Sequence, residues 1–239
     1  MNIIIITSVY APYRGGQAAV AKEQAEGLVA RGHAVTVLVP GDNRSKTREL
    51  GKSSEQDKSG EQDKSCERDK VDKPLIGIKK EKEEYINGVR VIRVPSIFTI
   101  GIAGYAPGVI KYVRDCDCVL CHYPSFGFIE WAVAAARARK IPYYVWYHFD
   151  PVGTWFKRIV FGIYTKLFKN SIIRHAEKIG TASIDYIRHS EISEHVDRCV
   201  EIPFGVNEFF FSPIDPISFF LKYHINTSYP YLSIRRSVP

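Results

Sequence analysis

The sequence predicts an α/β fold built on a doubly wound parallel sheet. Short β-branched runs, beginning at residues 3–7, alternate with longer segments of helical period. A glycine-bearing loop joins the first such run to the first helix, as in a βαβ unit with a right-handed crossover. The 239 residues are 45% hydrophobic and 13% aromatic, enough for a real core and for one or two domains.

Taken in order, residues 3–7 read as a buried parallel strand, and 8–16 as a loop broken by Pro12, Gly15 and Gly16. Residues 17–31 read as a helix whose small residues (Ala18, Ala19, Ala21, Ala25 and Gly27) let it lie close to a sheet, with Gly32 as its stop. Residues 35–39 are the second strand. From 42 to 74 the pattern collapses: the sizeable apolar residues there are Leu50 and Val71. A six-residue unit repeats as SSEQDK (53–58), SGEQDK (59–64) and SCERDK (65–70). So polar a stretch has nothing to bury: 42–74 is expected to be a disordered surface loop, and deletion of 53–70 to leave the fold intact. Asn87-Gly88 marks a turn before a strand at 89–94. Residues 97–113 are apolar but interrupted by glycine and proline. Strands are expected at 117–122, 143–147, 178–181 and 200–202, and helices at 126–139 and 155–174.

Composition narrows the function classes. No uninterrupted apolar stretch reaches the roughly 18 residues of a spanning helix. The opening run has no basic leader and no small-residue cleavage site, so no signal peptide is expected. With no signal, the five cysteines read as reduced thiols and the compartment as the cytosol. A net charge of +7 suits nucleic acid, a membrane surface or a phosphorylated small molecule, and equally a soluble protein with a positive surface.

In open parallel sheets, ligands sit beyond the carboxyl ends of the strands. The residues at those ends are Tyr13, Arg14, Gly15 and Gly16; His122, Tyr123 and Pro124; His148, Phe149 and Asp150; Ser183; and Phe204, Gly205 and Asn207. Gly15-Gly16 before a helix suits an anion such as a diphosphate, because backbone N–H groups and the helix dipole point there. A tight strand–helix turn explains the pair as well, and neither a G-x-G-x-x-G nor a Walker pattern is present. His148 at a strand end can hydrogen-bond a ligand or stabilise developing charge, or it can be a satisfied structural histidine. Cys116, Cys118 and Cys121 beside His122 lack a second ligand pair. On a strand, Cys116 and Cys118 would share a face opposite Cys121, so small buried hydrophobes are the better account and no metal is expected.

These residues resemble the family 4 glycosyltransferases of the GT-B fold. Gly15-Gly16 and the helix after it, followed by Gly32-His33-Ala34-Val35-Thr36-Val37, is similar to that family's opening. Asn87-Gly88-Val89-Arg90-Val91 is similar to its next strand, and His148 falls at its cleft histidine. Ile202-Pro203-Phe204-Gly205-Val206-Asn207, with Phe211 and Pro213, resembles its "IPNGVD…F-P" segment, with Phe204 and Asn207 in place of the usual Asn and Asp. Residues 229–239 resemble the first strand of the family's second domain, with Arg235 in place of glycine. The Glu-x7-Glu motif of that domain is absent, since no two glutamates are eight positions apart.

The resemblance implies the Rossmann-like N-terminal half of a GT-B enzyme over residues 1–213, then an interdomain linker and the start of a donor-binding domain at 214–239. It implies metal-free transfer, with retention, from a nucleotide-sugar to a glycan or lipid-linked acceptor. Gly15, Gly16 and Gly205 would approach the donor and shape the cleft, and His148 would face the reacting sugar. Arg14, His122, Tyr123, Asp150 and Ser183 would line the acceptor side. The chain alone is expected to be inactive, since a transition state assembled between two domains needs both.

A second reading is a non-enzymatic module that binds an acceptor or a membrane, or one subunit completed by a separate donor-domain chain. Arg158, Thr165, Lys166 and Lys169 would form a basic arc beside an apolar face, suited to an anionic membrane surface; packing on the sheet explains that face too. A dinucleotide oxidoreductase is disfavoured, because Pro40-Gly41 stands where its acidic residue belongs. No nucleic-acid partner is expected.

Overall fold

The computed structural model describes residues 1–13, 15–41, 75–76, 80–100, 102–151, 162 and 164–204. The chain divides into two compact units, Met1–Pro203 and Phe204–Pro239. Apart from Phe204, the second unit lies outside the described residues. So do the polar stretch 42–74 with its repeat, Arg14, Gly205 and residues 155–161 and 163 of the expected helix at 155–174.

The first unit carries an eight-stranded sheet, in the order β11-β10-β9-β8-β1-β2-β5-β4 among the described residues. Its strands are β1 (Asn2–Ile6), β2 (Ala34–Pro40), β4 (Lys82–Ile86), β5 (Val89–Val94), β8 (Cys118–Tyr123), β9 (Tyr143–Tyr147), β10 (Ile179–Thr181) and β11 (Cys199–Glu201). All pair in parallel except β4, which returns antiparallel on β5 through the expected Asn87-Gly88 turn. Both turn residues have positive φ, which is what a two-residue hairpin of this hand demands. Three short strands, β3 (Leu75–Ile76), β6 (Phe98–Ile100) and β7 (Ala103–Tyr105), form a separate antiparallel sheet.

Alternation along the strands builds two cores. Ile3 and Ile5 face helix α1 (Gly16–Ala30), where Ala21 and Ala25 meet them together with Val35, Val37 and Val91. Ile4 and Ile6 face the other side, where Ala132, Val133 and Ala136 of helix α2 (Ile129–Ala138) join Val119, Cys121 and Val145. Helices on both faces of one mostly parallel sheet make it doubly wound, as predicted. Gly32, at φ +83°, ends α1: its own N–H reaches Val29 and that of His33 reaches Leu28. Helix α2 begins later than expected. Gly127 has φ +77°, and a Cβ there would lie 3.2 Å from the Tyr105 backbone, so the chain turns at Gly127 before coiling.

Of the expected helix at 155–174, the described part is a π-helical turn, Thr165–Lys169, running into helix α3 (Asn170–Arg174). A short helix α4 (Ile184–Arg188) precedes β11. Lys169 does not lie on a solvated basic arc. Its side chain is 1% exposed, and its Nζ meets Glu191 Oε2 at 2.6 Å. A side chain so buried is not presented to a surrounding surface, membrane or solvent.

Candidate functional site

The order of strands points to a candidate site. From β1 the chain passes through α1 to β2 on one side, and later returns to place β8 on the other side of β1. The crevice beyond the carboxyl ends of β1 and β8 is the switch point where ligands of such sheets bind.

The β1 side contributes the start of α1. Gly15 occupies the N-cap in extended backbone, no side chain caps the helix, and no acidic residue lies in its first turn. The first N–H groups of an α-helix have no partner within it, so they point outward unsatisfied. Gly16 faces open space, whereas a Cβ on Gly15 would lie 2.7 Å from the ring of exposed Tyr13. The start of α1 is tied to β8: buried Gln17 donates its Nε2–H to Pro124 O at 3.2 Å, and Ser8 Oγ–H donates to the same carbonyl at 3.4 Å. Neither contact was anticipated from sequence. The signal was there in Gln17, a polar residue on a helix face otherwise lined by alanine.

The β8 and β9 side contributes two histidines. His122 pairs across the sheet with Trp146, and His148 lies two residues further along the same face. His122 Nδ1 and His148 Nε2 are 2.9 Å apart. His122 is fully buried, and loss of hydration, together with the neighbouring His148, drives its pKa well below the usual value. His148 is partly exposed, and burial lowers its pKa to about 4. Both rings are therefore neutral near pH 7. His148 is a hydrogen-bonding group there rather than a cation.

The remaining expected residues divide between ligand-facing and structural positions. Tyr123 is fully buried on the opposite face from His122, its ring parallel to that of Tyr147 at 5.2 Å. Like His122, it is screened from solvent instead of lining an open cleft. The Asp150 carboxylate is already engaged: it accepts from the Tyr147 hydroxyl, from Tyr186 Oη–H at 3.3 Å and from the Glu191 N–H at 3.2 Å. Ser183 caps α4, its Oγ accepting from the Tyr186 N–H at 3.4 Å. Phe149, beside His148, is 43% exposed. The structure thus brings His148 and Phe149 to one rim and makes Asp150 and Ser183 braces of the strand ends.

No group of three or more potential metal ligands converges among the described residues. Cys118 and Cys121 lie on opposite faces of β8, as alternation requires. Cys116 precedes the strand and packs on the α2 side, in place of the face shared with Cys118 that strand periodicity suggested. Burial pushes the Cys116 thiol up to about 11, and raises Cys118 and Cys121 as well, so these thiols stay protonated and unreactive. No helix among the described residues is long and apolar enough to cross a membrane.

Comparison with known proteins points one way. The model of the glycosyl transferase 4-like domain matches residues 15–187, well over half of the chain. No curated protein matches the sequence significantly. A sucrose-phosphate synthase from Thermosynechococcus elongatus shares the fold, with a TM-score of 0.54 at 14% identity over 96% of this chain and 54% of that one. A glycosyltransferase from Rickettsia africae ESF-5 aligns with a TM-score of 0.48 at 16% identity, over 96% of this chain and 51% of its own. The chain therefore spans about half the length of either structure.

Proposed function

The chain belongs to the glycosyl transferase 4-like family, and we propose that it forms the acceptor-side wall of a site that transfers sugar from a nucleotide-sugar to a glycan or lipid-linked acceptor. One observation carries this reading: a neutral, partly exposed histidine stands at the strand ends beside the switch point where the uncapped start of α1 also opens. The N–H groups at Gly15 and Gly16 suit the donor's diphosphate. A neutral imidazole suits an uncharged sugar, because it hydrogen-bonds hydroxyls without the desolvation cost of a cation. Exposed Phe149 offers an apolar face beside it, of the kind on which a sugar ring packs. Retention and independence from metal are parts of the same proposal.

The match to about half of the sucrose-phosphate synthase structure is in keeping with a further element of this proposal: catalysis by this domain needs a second, donor-binding domain. A partner chain supplying that domain is the alternative form of the same reading. Exposed Leu167 and Phe168 support a membrane-proximal acceptor, although buried Lys169 removes one of the charges that such a contact would use.

The test pairs binding with turnover. The chain is titrated with UDP, GDP and pyrophosphate, then incubated with UDP-glucose, UDP-N-acetylglucosamine and GDP-mannose, with and without a separately expressed donor-domain chain. Weak nucleotide binding is expected from the chain alone, and transfer only with the second domain. A His148→Ala variant should lower transfer by about 10²–10³, the usual loss for one oriented hydrogen-bond group. Absence of binding and of transfer under every condition refutes the reading.

A further inference from the structure

We propose that His122 is a positioning residue: its Nδ1–H donates to Nε2 of His148, which fixes His148 as the tautomer carrying its proton on Nδ1. That Nδ1 then meets a sugar oxygen rests on the function proposed above; where the proton sits does not.

The contact is a true ring-to-ring hydrogen bond. The nitrogens are 2.9 Å apart while the ring centroids are 5.1 Å apart, and the rings are inclined by 28°. Rings lying face to face at that centroid distance would not bring two nitrogens so close. The rings meet edge to edge and nearly coplanar, as an N–H···N bond requires. The backbone holds this geometry: His148 N–H donates to Tyr123 O at 3.0 Å, extending the β8–β9 ladder one residue past the end of β9. His122 and His148 are thus diagonal neighbours on one sheet face, within reach of long or aromatic side chains.

Burial keeps both rings neutral, so one proton occupies the bond, and two assignments exist. If His148 donated, His122 Nδ1 would accept, and the His122 proton would sit on Nε2. That Nε2 is buried and has no hydrogen-bond partner among the described residues. An N–H left there would be a buried donor with nothing to bond, one of the rarer defects of folded proteins. If His122 donates, its Nε2 is a bare lone pair, and no donor is stranded. The second assignment is the one the site supports.

The consequence is a definite polarity for His148. Its Nε2 lone pair is occupied, and its Nδ1 makes no hydrogen bond to the described residues. Towards a ligand, the ring can donate from Nδ1 but has no free lone pair with which to take a proton. His148 would therefore stabilise an oxygen that is gaining negative charge and would not act as a general base. His122 decides this without touching the ligand, because the hydrogen bond at one ring nitrogen sets the protonation of the other.

Nitrogen NMR of the uniformly ¹⁵N-labelled chain at pH 7.5 tests this directly. Long-range proton–nitrogen correlations distinguish protonated from bare ring nitrogens, and the spectrum of His148→Gln assigns the signals of His148. Wild type is expected to show His148 protonated at Nδ1 and bare at Nε2. His122→Asn, which keeps an N–H near the same place, should preserve that pattern. His122→Phe, which fills the space without a donor, should shift His148 towards Nε2 protonation. A wild-type His148 protonated at Nε2 overturns the proposal, as does a folded His122→Phe with an unchanged His148. If His122→Phe fails to fold, the wild-type spectrum decides alone. No readout involves sugar transfer: the expected tautomer in a protein that transfers nothing counts against the proposed function and leaves the positioning role standing.

Discussion

Asp150 should behave as a structural brace, and replacing it with alanine should cost the fold about 2–3 kcal/mol. Its carboxylate accepts from three donors of unequal importance. Tyr186 and Glu191 are exposed residues, so water takes over when the acceptor is lost. Tyr147 is buried, and its hydroxyl would become an unpaired donor inside the protein. Stranding a buried donor costs about 1–3 kcal/mol, and the two exposed bonds add a fraction more. In a domain of this size that corresponds to a melting-temperature drop of about 4–12 °C. Asp150→Asn retains an acceptor oxygen and should lose about 1 kcal/mol. Removing the stranded donor as well, in Asp150→Ala/Tyr147→Phe, should recover part of the loss. Urea titrations of the single and double variants measure both the cost and the coupling. An Asp150→Ala protein within about 0.5 kcal/mol of wild type would refute the reasoning and return Asp150 to the list of ligand-facing groups.

Three further outcomes follow from the same structure. Gly16→Ala should leave the fold as stable as wild type or more so by up to about 1 kcal/mol, since its Cβ meets nothing; thermal melts check this, and titration with pyrophosphate should show weaker binding from the crowded helix start. Lys169→Ala should cost about 1–3 kcal/mol by urea titration, less than a fully buried ion pair, because Glu191 is 48% exposed and rehydrates when its partner goes; Lys169→Met, which keeps the buried stem, should lose less. Acid should weaken the fold through the histidine pair. His148 titrates near 4 when folded and near 6.5 when unfolded, so its contribution is complete above pH 6.5 and is lost as pH falls towards 4. That loss is on the order of 3 kcal/mol, and buried His122 acts in the same direction. Urea titrations at pH 7.5 and 5 should show a smaller difference for His148→Gln than for wild type.

Local patterning was enough to read most of the fold. Ile3–Ile6 and Val35–Val39 are strands because β-branched runs bounded by breakers have few alternatives. Gly32 and Asn87-Gly88 end and turn the chain where only positive φ closes the geometry. The doubly wound class follows from that alternation, and so does the carboxyl-end location of His148, Gly15 and Gly16. Boundaries that depend on distant contacts were less legible, as at α2, where the close approach of Gly127 to Tyr105 delays the helix.

Sequence alone determined which described residues stand near the carboxyl ends of the strands, because that depends on local period and chain order. Only tertiary structure decided what each does there, because burial and partnership depend on residues far apart in the chain. His122 and His148 are separated by 26 residues, and strand register makes them one hydrogen-bonded unit. Asp150 reads as a cleft carboxylate until Tyr147, Tyr186 and Glu191 are seen to occupy it. Lys169 reads as a surface charge until the fold seals its stem and sets Glu191 against its Nζ. A charge or a lone pair takes its chemical role from whatever surrounds it, and for these side chains the surroundings come from other strands and helices.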